Sequence, residues 1–188
     1  MKILGIHIGH DSSAALIVDG KIVADVAEER FTRIKHNSGL PLKSIDYCLK
    51  SQSTSIEEID IIAVPTNKSM PELNFIFDLK GNKKEPKTSP RRMIEFAQRI
   101  MKKATAKPPL YIKNFPIKNS AEIIHVEHHL AHAASAYYTS GNKEKQLIVT
   151  MDGAGDSMSI CLWKGENGKI EELKKFPTSA SLGWFYSN

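Results

Sequence analysis

The sequence predicts an α/β fold on a mixed sheet, with a three-stranded N-terminal meander followed by further strands joined through crossover helices. Three observations carry that expectation. Asp19-Gly20 separates two short apolar runs, and Asp-Gly between β-rich runs signals a hairpin, because a type I′ turn needs positive φ at both central residues. Strand-like and helix-like runs then alternate, which indicates a layered α/β domain. A second strand meander begins at residue 146.

Taken in order, residues 3–9 read as a buried strand, 13–18 as a second and 21–27 as a third, with the first turn at His10-Asp11-Ser12. Residues 28–36 read as a charged loop. Residues 41–49 read as a helix with Pro at its start. Residues 56–58 form a short turn, and 59–64 an apolar strand ended by Pro65. Residues 90–103 suit an amphipathic helix with Met93, Ala97, Ile100 and Met101 as its apolar stripe. Residues 121–126 read as a strand, 128–138 as an Ala-rich helix and 146–151 as a strand. A Gly-rich turn is expected at 152–156, then strands at 157–163 and 170–176 joined through Glu166-Asn167-Gly168.

With 188 residues, 41% hydrophobic and 25% charged, the chain has the composition of a globular protein, which excludes wholesale disorder. No apolar run approaches the roughly 20 residues of a membrane span. The start lacks the unbroken apolar block of a signal peptide, so a cytoplasmic protein is expected. Cys48 and Cys161 sit far apart in apolar runs and read as buried free thiols. The net charge of +5 is uneven: residues 80–118 carry +10 and the remainder −5. The basic character thus belongs to an insertion-like segment within 66–120. That segment reads as a solvated excursion, or as a surface for RNA, phosphates or an acidic partner.

The densest chemical signal is His125-Val126-Glu127-His128-His129-Leu130-Ala131-His132, which holds four of the seven histidines. His128 and His132 are four apart and share one helix face, a geometry in which two imidazoles can ligate one metal. His129 points about 100° away, toward a supporting or phosphate-contacting role. Asp152 ends an apolar strand and is the expected third ligand, because strand C-terminal ends open into the crevice where α/β proteins bind ligands. Two imidazoles and a carboxylate suit Fe(II), Mn(II) or Zn(II), and ligand type alone does not choose among them. The same set could support oxygen activation. The alanines keep the helix slim, so that a sheet can approach. In Asp152-Gly153-Ala154-Gly155-Asp156, small residues let backbone N–H groups approach a phosphate. The first turn, Gly9-His10-Asp11-Ser12-Ser13, repeats that pattern. His10 is placed either for proton transfer or for turn-making.

The leading meander with its Gly/Asp/Ser turn resembles the actin-like ATPase (ribonuclease H-like) fold, in which two such turns form the jaws of a nucleotide clamp. More specifically, the sequence resembles the NodU/CmcH-type O-carbamoyltransferases. The matching stretches are GIHIGHDSSAALIVDGKIVADVAEERFTRIKHNSGLP, HVEHHLAHAASAYYTSG, TMDGAGDSMSICLW and SLGWFYS. The resemblance implies that residues 1–188 are the N-terminal lobe of a Kae1-like domain of actin-type fold. A second lobe and a YrdC-like domain would then lie elsewhere in the whole protein. It implies carbamoyl phosphate and ATP as substrates, a carbamoyl-adenylate intermediate, and transfer of the carbamoyl group to the hydroxyl of a small-molecule acceptor, assisted by bound iron. By motif, His128, His132 and Asp152 look like the metal ligands and His10 like the group that takes the hydroxyl proton. Asp11, Ser12, Gly153 and Gly155 look like contacts to the adenylate. Arg33 and Lys35 look like phosphate or carbamoyl contacts, although a surface salt-bridge loop explains them equally well. The 188 residues alone are expected to be inactive.

Two other readings stay open. One is a TsaD-like threonylcarbamoyl transferase acting on tRNA, which shares the fold and the His-x-x-x-His pair but has a Ser-Gly-Gly second jaw where this chain has Asp-Gly-Ala-Gly-Asp. The other is a non-catalytic nucleotide- or metal-binding module. Neither nucleic acid nor membrane is an expected partner of the lobe itself.

Overall fold

A computed structural model describes residues 1–66, 121–142 and 144–183. The basic segment 80–118, the helix expected at 90–103 and residues 184–188 lie outside them.

The chain opens with β1 (Lys2–His7), β2 (Ser13–Val18) and β3 (Lys21–Ala27), paired antiparallel. Asp19 and Gly20 take φ of +48° and +78°, which is the expected type I′ turn. β4 (Ile61–Val64) lies parallel to β1, and β5 (Glu122–His125) parallel to β4. The sheet order is β3-β2-β1-β4-β5. Three antiparallel strands followed by two parallel ones form a mixed sheet of the actin-like, ribonuclease H-like kind.

Its core follows from strand alternation. Leu4, Ile6, Leu16, Ile62 and Val64 point to one face, where Ile45, Cys48 and Leu49 of helix α2 (Leu42–Ser51) cover them. α2 begins after Pro41 with no capping side chain of its own. Glu28 supplies the missing acceptors from a distance. Its Oε2 accepts from the backbone N–H and the hydroxyl of Ser44, both at 2.8 Å, and its Oε1 accepts from the Lys43 N–H at 3.2 Å. Glu28 is buried, so these bonds satisfy both a charge and a helix end.

Residues 28–36 are not simply a loop. Glu29–Thr32 form the short helix α1, stopped by Arg33 at φ +60°. The Phe31 and Thr32 N–H groups close on the Glu28 carbonyl, and the Phe31 ring meets Tyr47 of α2 with 5.7 Å between centroids. Burial of Glu28 and the contact of Phe31 with α2 wind a segment whose charges suggest only a loop.

The second meander is a separate sheet, β6 (Gln146–Gly155), β7 (Met158–Glu166) and β8 (Lys169–Pro177), in that order and antiparallel. Helix α3 (His128–Thr139) packs on it, with Ala133 and Tyr137 against Ile148, Cys161 and Trp163. Gly165 is required here, because a Cβ would come within 2.6 Å of the Tyr137 ring. The opposite face of β6 leaves Leu147, Val149 and Met151 exposed. β6 runs four residues further than expected. The turn consists of Asp156 and Ser157, at φ +49° and +72°, and residues 152–155 belong to an irregular strand end. Asn167-Gly168 makes the second type I′ turn, at +52° and +75°. Cys48 and Cys161 are buried free thiols, and burial pushes both to pKa values of about 11. Among the described residues no helix is long and apolar enough to cross a membrane.

Replacing Glu28 by Ala leaves three donors at the start of α2 without their acceptor. The expected loss is about 2–4 kcal/mol of unfolding free energy, measurable by urea denaturation. Glu28→Gln, which keeps one acceptor, is expected to lose less.

Candidate metal centre

Helix α3 starts where the two sheets meet, and its first turn is held by two carboxylates. Glu127 is the N-cap, accepting from the Leu130 N–H at 2.7 Å. Asp156, from the β6–β7 turn, accepts from the His128 N–H at 3.0 Å with one oxygen and from the Thr66 hydroxyl at 2.8 Å with the other. Thr66 follows β4, and its carbonyl lies 3.0 Å from His125 Nδ1. This bonding fixes the rotation of α3 about its axis. His129, Ala133 and Tyr137 face the second sheet, and His128 and His132 are carried on the flank beside the end of β6.

There three ligand atoms converge. His128 Nε2 lies 2.8 Å from Asp152 Oδ2 and 3.0 Å from His132 Nε2, and His132 Nε2 lies 3.8 Å from the same carboxylate oxygen. Ligand atoms about 2.1 Å from one ion stand roughly 3 to 3.5 Å apart, so this spacing fits a cation. The donor chemistry fits too, with two imidazoles and one carboxylate. Two imidazole nitrogens facing each other across 3.0 Å can share only one proton, and a cation between them would satisfy both. The expected set of His128, His132 and Asp152 is thus brought together.

The surroundings shape this centre. A Cβ at Gly155 would fall within 2.6 Å of His128 Nε2, so the ring needs glycine beneath it. Neither Gly153 nor Gly155 has positive φ. For Gly155 the requirement is close approach of the His128 ring, and both glycines belong to the end of β6, which corrects the expected Gly-rich turn. The Gly153 N–H donates to Asp152 Oδ1 at 2.6 Å, and the Ser181 hydroxyl donates to the Asp152 carbonyl. Burial works to raise the Asp152 carboxyl, but bonds from His128 and the Gly153 amide, with His128 and His132 nearby, hold it below its ordinary value. His132 is lowered by burial and by the neighbouring His128.

His129 is fully buried, with Nδ1 3.0 Å from the Thr150 hydroxyl, to which the Trp163 indole also donates at 3.3 Å. The phosphate-contact reading of His129 is therefore corrected. The ring is a core element beneath the ligands, which sequence spacing alone did not reveal.

The first turn makes a second cluster. His10 is exposed, with Nδ1 2.7 Å from Asp11 Oδ2. The other Asp11 oxygen lies 3.0 Å from His36 Nδ1. Ser12 is buried, and its hydroxyl has no bonding partner among the described residues. Arg33 and Lys35 are exposed and make no ion pair among the described residues. His7 stands between the clusters. Its Nε2–H donates to the His10 carbonyl at 3.0 Å, and its pKa is lowered by burial and, in smaller part, by His128. Sequence reasoning missed His7, His36 and Asp156. His7 was hidden in a strand pattern and Asp156 in a presumed loop, and His36 closed a stretch whose basic residues drew the attention.

A histidine pair, a carboxylate near the end of β6 and paired meanders define a candidate metal site on an actin-like scaffold. The chain belongs to the carbamoyltransferase N-terminus family, whose model matches residues 2–188. It is 34% identical over 181 residues to the nodulation protein NolNO of Sinorhizobium fredii, covering 94% of this chain and 24% of that one. An uncharacterised protein of Synechocystis is also 34% identical, over 185 residues, covering 95% of this chain and 29% of that one. The chain thus spans less than a third of the length of these relatives. Similar solved structures include YeaZ from Pseudomonas aeruginosa, with TM-score 0.45, 12% identity, and coverage of 94% of this chain and 69% of that one. A Ppx/GppA family member from Aquifex aeolicus has TM-score 0.38 and 16% identity, covering 95% and 51%.

Two outcomes are expected from this geometry. Gly155→Ala displaces the His128 ring and lowers metal affinity about 10- to 100-fold, measurable by competition with a chromogenic chelator. Lowered His7 and His132 hold protons less tightly folded than unfolded, so unfolding takes up protons as pH falls below the ordinary value of 6.5. The contribution of these two groups to the stability of the metal-free protein is therefore intact above that value and declines as pH falls below it, and Asp152 extends the loss at lower pH. Urea midpoints across pH check this, and His132→Gln is expected to flatten the profile.

Proposed function

We propose that the chain carries the acceptor-side site of an O-carbamoyltransferase. In this reading the carbamoyl group of a carbamoyl-adenylate, made from carbamoyl phosphate and ATP, passes to a substrate hydroxyl beside His128, His132 and Asp152. The observation that supports it is the convergence of those three ligand atoms, all within 4.8 Å of one another, in a chain of this family.

His128, His132 and Asp152 would hold a divalent cation, Fe(II) by family resemblance, which when bound polarises the carbamoyl carbonyl as a Lewis acid. The other tasks fall to protein groups. His10 takes the acceptor proton on Nε2, since its Nδ1 is engaged by Asp11. As the acceptor oxygen bonds to the carbamoyl carbon, that carbon's bond to the adenylate phosphate oxygen breaks and AMP leaves. Arg33 and Lys35 bring positive charge to the nucleotide side, where Ser12 and Gly155 can approach it. Asp11 contributes there through its backbone, because both carboxylate oxygens are occupied by histidines. The Gly153 N–H is likewise turned to Asp152. The remainder of the whole protein would complete the nucleotide clamp and form the adenylate.

In the full-length protein, His128→Ala and His132→Ala are each expected to lower bound metal by elemental analysis at least tenfold. Carbamoyl transfer to the hydroxyl is expected to fall by about 100-fold or more. Metal content equal to that of the unaltered protein would overturn the assignment.

A further inference from the structure

The β1–β2 connection and the loop after α1 are laced together. The Ser12 N–H donates to the Asn37 carbonyl and the Gly39 N–H to the Ile8 carbonyl, both at 2.9 Å, and His10 bridges to Ser38. The Asn37 amide donates to the Thr32 hydroxyl at 2.9 Å. Inside this lacing, the Asp11 carboxylate lies between two imidazoles, 2.7 Å from His10 Nδ1 and 3.0 Å from His36 Nδ1. Asp11 and His36 both have left-handed backbone, at φ +61° and +54°. Such conformations cost free energy in non-glycine residues and persist where the surroundings over-determine them. His7 adds a further restraint by donating to the His10 carbonyl.

An ionised carboxylate can only accept hydrogen bonds. His10 first, and His36 with it, hold the Asp11 carboxyl below its ordinary value, so it is ionised at neutral pH. Each facing ring must then present Nδ1–H. We propose that Asp11 is a positioning residue whose carboxylate fixes His10 and His36 together in the Nδ1–H tautomer, leaving Nε2 of both rings free to accept a proton. This differs from a side-chain contact to nucleotide, which would need an Asp11 oxygen turned outward. The kinetic consequence rests on His10 acting as the base, but the tautomer assignment does not.

The test uses the full-length protein with 15N-labelled histidine, its ring signals assigned through His10→Gln and His36→Gln. Long-range 1H–15N correlation is expected to show Nδ1–H in both neutral rings. Asp11→Asn suits the left-handed backbone but leaves one carbonyl acceptor for two donors, so at least one ring is expected to lose that tautomer. In the same variant kcat for carbamoyl transfer is expected to fall at least about tenfold, with KM for ATP unchanged. Nε2–H rings in the unaltered protein, or rings unmoved by Asp11→Asn, overturn the proposal, as does a raised KM for ATP at constant kcat. If Asp11→Asn does not fold, the tautomers of the unaltered protein decide alone. Full turnover by His10→Gln, with tautomers as expected, removes His10 as the base while leaving the positioning of the two rings supported.

Discussion

The Asp156 carboxylate is the constraint on which the rest depends. One oxygen takes the Thr66 hydroxyl from the end of the first sheet, and the other takes the first helical N–H of α3. Asp156 itself sits in the tight turn of the second sheet. A single side chain therefore joins both sheets to the helix that carries the histidines. A carboxylate at a helix N-terminus is also favoured by the helix dipole. Without this tie the rotation of α3 would rest on the Glu127 cap, the His129–Thr150 contact and the packing of Ala133 and Tyr137, and the aim of His128 and His132 would loosen.

The resulting arrangement has two histidine clusters, each organised by one aspartate. Asp152 gathers His128 and His132. Asp11 gathers His10 and His36. His7 lies between them, lowered in part by His128 while bonded to the His10 backbone. The same residue types thus meet their aspartates differently. In the first cluster the two Nε2 atoms converge, and in the second both rings turn Nδ1 to the carboxylate.

Much of the fold was legible because its signals are local. The Asp19-Gly20 turn, the strand alternation and the four-residue spacing of His128 and His132 each follow from near neighbours. Asp152 was legible from its place at the end of an apolar strand. What stayed hidden depended on distant partners. Glu28 caps a helix that begins fourteen residues later, so α1 looked like loop. Gly155 looked like a turn glycine, yet it is there because the His128 ring lies against it. His129 looked like a ligand neighbour available to phosphate, and the second sheet buries it. His36 meets Asp11 across 25 residues, a separation that no periodicity reveals.

The separation of the three candidate ligands along the chain bears on the order in which they can assemble. His128, His132 and Asp152 lie within one helix and the strand that follows it, 24 residues from first to last. The turns of their sheet are two-residue hairpins. The first sheet, by contrast, closes only when β5 returns to β4 from nearly sixty residues away. Local pairings form faster than distant ones, because less chain entropy is lost before contacts compensate for it. The three ligands can therefore assemble while the larger sheet is still open, and a cation captured then would act as an early staple for everything that packs afterwards.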